Sequence, residues 1–306
     1  MKDAPASAPA SANEKNDLPS QALAPGLYVA ATPIGNLGDA SFRLIDTMKR
    51  ADAVLCEDTR HTAKLCAAYG VTTPRRPYHE HNAASVRPQL IEDLKNGACY
   101  CLVSDAGTPL IADPGYKLVA EARDAGIDVF TLPGPSAAIA ALSISGLPTD
   151  RFLFAGFPPA KSGARKRFFD DLAKIDATLV FYEAPGRLAD SLDAMATAFK
   201  GRTAAIAREL TKRHETLING PIETLAETFR SQNTKGEIVV LIGPPAAPTT
   251  VSESDLDAFL EDALTAMSVR DAAAAAADAL GVAKKEAYRR AVALAAARAK
   301  ARKETP

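Results

Sequence analysis

Short apolar runs alternate with amphipathic stretches through most of the chain, and three of the runs stop at loops rich in proline and glycine. Leu27 to Ala31 leads into Thr32-Pro33-Ile34-Gly35-Asn36, Cys101 to Val103 into Ser104-Asp105-Ala106-Gly107-Thr108-Pro109, and Ile127 to Leu132 into Pro133-Gly134-Pro135-Ser136-Ala137. Runs this short, apolar or β-prone throughout, predict strands buried on both faces. With a further run at Ala53 to Cys56 and helical patterns over residues 59–69, 86–95 and 116–125, residues 26–135 predict βαβ units and a mostly parallel sheet. Gly70, Gly97 and Gly126 follow the helical stretches, where a left-handed terminator is wanted. Ligands bind off the carboxyl ends of strands in an open α/β sheet, so three stiff loops there predict one shared pocket. Proline fixes φ and glycine lets backbone approach a ligand closely, which favours contact through main-chain groups.

A second α/β domain is expected over residues 136–245. Strands are predicted near 152–154, 178–182, 203–207, 215–218 and 237–242, with helices near 165–173, 186–199 and 222–230. Two consecutive strands around Ala207 and Thr216 imply a hairpin, and therefore a mixed sheet. Gly243-Pro244-Pro245-Ala246-Ala247-Pro248 reads as a linker to a small helical module over residues 250–306. There Ser252 and Ser268 each precede an aspartate three residues on, the spacing of a capping box, and Gly281 separates two helices. The last helix carries Lys284, Lys285, Arg289 and Arg290. Two readings stand side by side: a basic unit resembling a helix-turn-helix, or an alanine-rich hairpin packed on the main body. Residues 1–25, rich in alanine, proline and serine, are expected to form a disordered tail.

Composition narrows the class. Apolar content of 47% and charged content of 24% are those of a globular protein, and a net charge of -1 argues against wholesale polyanion binding. The charge is uneven: residues 268–306 hold nine Lys/Arg against four Asp/Glu, and residues 251–267 hold five acids and no base. Any affinity for nucleic acid must be local. Cys56, Cys66, Cys99 and Cys101 show no Cys-x-x-Cys spacing, so buried free thiols and a cytoplasmic setting are expected.

Neither Gly-x-Gly-x-x-Gly nor Gly-x-x-x-x-Gly-Lys-Ser/Thr occurs, which disfavours a dinucleotide or nucleoside triphosphate. S-adenosylmethionine fits better, since it needs hydrogen bonds but no phosphate nest. Thr32-Pro33-Ile34-Gly35-Asn36-Leu37, Glu57-Asp58-Thr59-Arg60-His61-Thr62, Ser104 to Pro109, Asp113-Pro114-Gly115, Pro133-Gly134-Pro135, Gly156-Phe157-Pro158-Pro159 and Phe181-Tyr182-Glu183 follow in one order. In that order they resemble the small-subunit ribosomal RNA methyltransferase I family of the tetrapyrrole methylase-like superfamily, from about Leu27 to Pro245. The resemblance implies two α/β domains with the cofactor cleft between them, usually in a homodimer. It also implies S-adenosylmethionine-dependent 2′-O-methylation of a cytidine ribose in small-subunit ribosomal RNA, free or within the assembled subunit. Cofactor contacts carried over by motif are Pro33, Asp105, Ala106, Gly107, Pro133, Gly134, Phe181, Tyr182, Arg208, Glu209, Leu210, Lys235, Gly236 and Glu237.

A ribose hydroxyl is a poor acid, so a nearby base or oxyanion-stabilising cation would assist transfer. His81, Asp58 and Arg60 are the candidates, from Glu57-Asp58-Thr59-Arg60-His61 and His79-Glu80-His81-Asn82; Asp58 equally suits a helix N-cap. Two histidines without a third ligand predict no metal. Lys161, Arg165, Lys166 and Arg167, at a loop-to-helix junction, are expected to contact RNA phosphates, with Phe168 and Phe169 more suited to the core. A tetrapyrrole ring methylase and a non-catalytic ribosome-assembly factor are the competing readings.

Overall fold

The computed structural model describes residues 23–245 and 252–304. The expected tail therefore lies outside the described residues up to residue 22, as does residue 246–251 of the linker region.

The first sheet is wholly parallel. Its strands are β1 (Gly26–Ala30), β2 (Ala53–Cys56), β3 (Arg75–Pro77), β4 (Cys99–Val103) and β5 (Val129–Leu132), ordered β3-β2-β4-β1-β5. Helices α1 (Phe42–Arg50), α2 (Thr59–Tyr69), α3 (Ala83–Lys95) and α4 (Tyr116–Asp124) are the crossovers. Alternation in β1 and β4 sends Tyr28, Ala30, Cys101 and Val103 into one apolar layer and Leu27, Tyr100 and Leu102 into another, so the sheet is covered on both faces. Gly70, Gly97 and Gly126 all have φ between 62° and 94°, as helix termination there requires.

α5 (Ala137–Ile144) joins this sheet to a second, mixed one of β6 (Phe152–Gly156), β7 (Thr178–Glu183), β8 (Thr203–Arg208), β9 (Thr216–Pro221) and β10 (Ile238–Ile242), ordered β6-β7-β10-β8-β9. β8 and β9 form the expected antiparallel hairpin. α6 (Ser162–Leu172), α7 (Leu188–Ala198) and α8 (Ile222–Arg230) supply its covering helices. One face packs Leu179, Phe181, Val240 and Phe199; the other packs Val180, Val239 and Leu241 against Ala138, Ala141 and Leu142 of α5. α1, α5 and β3 have no counterpart in the sequence reading. β3 is three exposed residues, and α5 has apolar residues all round with no periodic signal.

The C-terminal unit is three helices, α9 (Glu253–Ala263), α10 (Val269–Leu280) and α11 (Lys284–Glu304). Ser252 and Ser268 cap α9 and α10 by accepting from the amides of Asp255 and Asp271. Ala272, Ala273, Ala276, Ala287 and Ala291 are buried between the helices, and so small a side chain lets two backbones approach closely.

Candidate active site

Because β1 lies between β4 and β5, the three loops at their carboxyl ends are neighbours, and they are stitched together. Thr32 and Gly107 exchange backbone hydrogen bonds at 2.9 and 3.0 Å, the Thr32 hydroxyl donates to the Ser104 carbonyl, and the Thr108 hydroxyl donates to the Pro135 carbonyl at 3.0 Å. Facing them is the end of the second sheet, and between the two lies a cavity of ≈ 370 Å³.

The wall from the first sheet is Asp105 to Thr108, Ile111 to Asp113, Ser136 and Ala137; the second sheet supplies Tyr182 to Pro185, Leu210 and Gly236 to Val239. The Tyr182 hydroxyl accepts from the Ala138 amide at 3.2 Å, and its ring meets Phe157 edge-on, which closes one side with apolar surface. Glu183 is a buried carboxylate that accepts from the Ala184 amide, the Ser191 hydroxyl and Arg187, so the Ala184-Pro185 turn on the wall is held from beneath.

Backbone strain concentrates here. Among the described residues, the non-glycine positions with positive φ are Leu110, Ala112, Glu209 and Thr211, all in the two loops that form or flank the wall. A left-handed residue with a β-carbon persists only where its surroundings over-determine it, and such positions gather at ligand sites. Gly236, at φ +92°, is tighter still: a β-carbon there would sit 2.5 Å from the Glu209 carboxylate. That carboxylate accepts from the Glu237 amide at 2.9 Å and from Lys212 Nζ at 2.9 Å, and Lys212 also reaches Glu237.

The rim is acidic. Burial, then the charges of Glu57 and Asp105, push the Asp113 carboxyl up to about 6. Burial and Asp105 likewise raise Glu57. Carboxylates that resist ionisation because they are crowded together and partly dry are relieved by a cation in their midst. An apolar cavity with such a rim, glycines at Gly107 and Gly236 and no phosphate loop fits a positively charged ligand without phosphate.

Of the residues expected to touch a cofactor, the wall includes Asp105, Ala106, Gly107, Tyr182, Leu210, Gly236 and Glu237. The others lie outside that wall. Phe181 is fully buried in the opposite layer, because alternation along β7 points it away from Tyr182. Pro133 and Gly134 do not line the cavity; Gly134 packs on Ala31, where an added β-carbon would come within 3.0 Å, and the next turn residues, Ser136 and Ala137, line it instead. Arg208 ties Thr216 to the Lys235 carbonyl, so Arg208 and Lys235 brace the wall without forming it, and Glu209 does so from behind Gly236. Pro33 lines a separate, adjoining cavity.

The candidate bases fare differently. Asp58 caps α2, and its carboxylate accepts from the Arg60 amide and from the Arg60 guanidinium, which holds it far below the usual range. A carboxylate so satisfied is a poor proton acceptor, and the Arg60 guanidinium folds back onto it. Asp58 does touch the site through its amide, which donates to Asp105 Oδ1 at 3.2 Å. His81 is exposed on the turn before α3 and lines neither cavity. Asp113 was legible only as part of Asp113-Pro114-Gly115, a motif whose acid gained no role until the fold turned it toward the cavity.

Lys161, just before α6, and Lys166 and Arg167 on it are exposed, but Arg165 is not. It is 6% exposed, four residues before buried Phe169 on the same helical face, and it approaches Asp190 of α7. Helical phase, not charge, decides its place. On α11, Arg290 pairs with Asp257 of α9, which leaves Lys284, Lys285 and Arg289 exposed.

Residues 26–226 match the family model of Tetrapyrrole (Corrin/Porphyrin) Methylases, and residues 250–295 match that of the RsmI C-terminal HTH domain. A ribosomal RNA small subunit methyltransferase I from Mesorhizobium japonicum is 48% identical over 278 residues, which cover 90% of this chain and 94% of that protein. The chain belongs to this family of tetrapyrrole methylases. A second relative of that name, from Erythrobacter litoralis, is 46% identical over 92% of this chain and 99% of its own length. Among solved structures, a diphthine synthase aligns with a TM-score of 0.57 at 18% identity, covering 71% of this chain and 89% of that one, a likeness of fold. The expected fold class, two α/β domains of the tetrapyrrole methylase type with a C-terminal helical module, is the one found.

Proposed function

We propose that the protein transfers a methyl group from S-adenosylmethionine to the 2′-hydroxyl of a cytidine ribose in small-subunit ribosomal RNA. The observation that carries the reading is the pairing, in one chain, of a methylase body and an HTH module, both shared at 46–48% identity with relatives named for that RNA. A porphyrinoid methylase has no use for a basic helical module, and a non-catalytic assembly factor has no need of strained loops around a cavity.

When bound, S-adenosylmethionine supplies an electrophilic methyl on a sulfonium. The chain's own residues bind and orient it: Asp105 and Asp113, with Glu57 behind them, attract the cation, and Tyr182, Phe157 and Ile111 exclude water. Exclusion of water and fixed alignment are the main demands of a displacement in which charge disappears. We also read the chain as a cytoplasmic homodimer: Ile139 and Ile144 of α5, with Phe152 and Leu153 on the β6 edge, leave apolar surface that a second copy can cover.

The direct test maps ribose methylation across small-subunit RNA from cells with and without the protein, and repeats it with purified protein, donor and subunits. A cytidine 2′-O-methyl that appears only with the protein supports the reading. An unchanged map in both settings would falsify it.

A further inference from the structure

Two cavities adjoin in this protein. The second, of ≈ 320 Å³, is lined by Thr32 to Gly35, Leu37, residues of α2 and Lys212, and it shares Ile34, Asp105, Ala106 and Glu237 with the first. We infer that this second chamber receives the acceptor nucleotide, with Lys64 and His61 of α2 holding its backbone phosphate. The inference rests on the methyl-transfer reading and adds to it the place and the residues of RNA entry.

Geometry carries the argument. In an in-line displacement the incoming oxygen approaches from the side opposite the leaving sulfur, so the acceptor's chamber must open onto the donor's. The groove between α6 and α7, lined by Ser162, Arg165 and Asp190 among others, shares no residue with the first cavity; the chamber beside α2 shares four. Its volume falls in the range of small-ligand sites and suits one nucleoside turned out of its strand. The ribose oxygen forms the new bond as the carbon–sulfur bond breaks, sulfur keeping that electron pair, and the hydroxyl proton is released to water.

Charge agrees with geometry. Lys212 is clamped between Glu209 and Glu237, and Arg60 is folded onto Asp58. Lys64 makes no salt bridge among the described residues, and it stands one helical turn from His61 on the same face of α2, next to Leu65. A cation without a partner at the mouth of a nucleotide-sized chamber is placed for a phosphate. Gly35 keeps the chamber's floor thin: a β-carbon there would lie 2.5 Å from the Lys212 side chain.

The test uses full-length protein, small ribosomal subunits and Lys64→Glu, with Lys64→Arg as the conservative control and His61→Ala as a second variant. In Lys64→Glu the KM for subunits should rise at least about 10-fold at saturating donor. Its cofactor-free binding to subunits should weaken, with a salt slope shallower by about one. Donor affinity, by calorimetry, should stay at the wild-type value, and Lys64→Arg should restore KM. Wild-type KM and binding in both Lys64→Glu and His61→Ala overturn the assignment. If wild-type protein transfers no methyl to subunits at all, the functional reading itself falls and takes this inference with it.

Discussion

Asp113 shows how much one side chain's surroundings matter. Its folded-state pKa of about 6 stands above the ordinary 3.8, so the folded protein holds that proton more tightly than the unfolded chain. The contribution of this group to stability is complete below about pH 4 and is lost as pH rises through about 6. Asp113→Asn, a mimic of the protonated acid, should therefore unfold at higher temperature than wild type at pH 8. We expect a gain on the order of 1 kcal/mol after solvent screening, and none at pH 4. Thermal unfolding at both pH values checks this. Donor binding should move the other way: a cation prefers the ionised acid, so calorimetric affinity should fall as pH drops through about 6 in wild type. In Asp113→Asn it should be weaker at pH 8 and nearly flat with pH.

At the scale of elements, β7 separates structure from site within two consecutive residues. Phe181 and Tyr182 were legible together as a motif, but pleating sends one into the core beside Phe169 and Phe199 and the other into the cavity wall. Phe181→Ala should cost about 3–5 kcal/mol in denaturant unfolding with little change in donor affinity among molecules that remain folded. Tyr182→Phe removes only the hydroxyl that accepts from Ala138; it should cost about 1 kcal/mol or less and loosen donor binding several-fold. The reverse pattern would assign Phe181 to the site. α6 teaches the same lesson with charge: Arg165 was indistinguishable in sequence from Lys166 and Arg167 until helical phase turned it inward.

For the whole molecule, three groups among the exposed bases bear on RNA binding: Lys64 at the second chamber, Lys161, Lys166 and Arg167 at the start of α6, and Lys284, Lys285 and Arg289 on α11. Reversal of Lys161, Lys166 and Arg167 together to glutamate should weaken subunit binding and reduce its salt slope by about two to three. Donor affinity should not change, since none of the three lines the donor cavity. Binding measured from low to high salt decides the matter; an unaltered slope would remove α6 from the RNA path.

Strand runs, helix terminators, the β8–β9 hairpin and the caps at Ser252 and Ser268 were fixed by local chemistry: φ limits, hydrogen-bond needs and period-2 or period-3.6 patterning act within a few residues. The loops that meet at the cavity were visible for the same reason, since proline and glycine mark them wherever they lie. Tertiary structure alone decided which faces those loops turn to one another. It made Asp113 a crowded acid, closed Asp58 and Arg60 on themselves, hid Arg165 and Phe181, and set two cavities against a common wall, because burial and Coulomb interactions depend on distances between residues far apart in the chain.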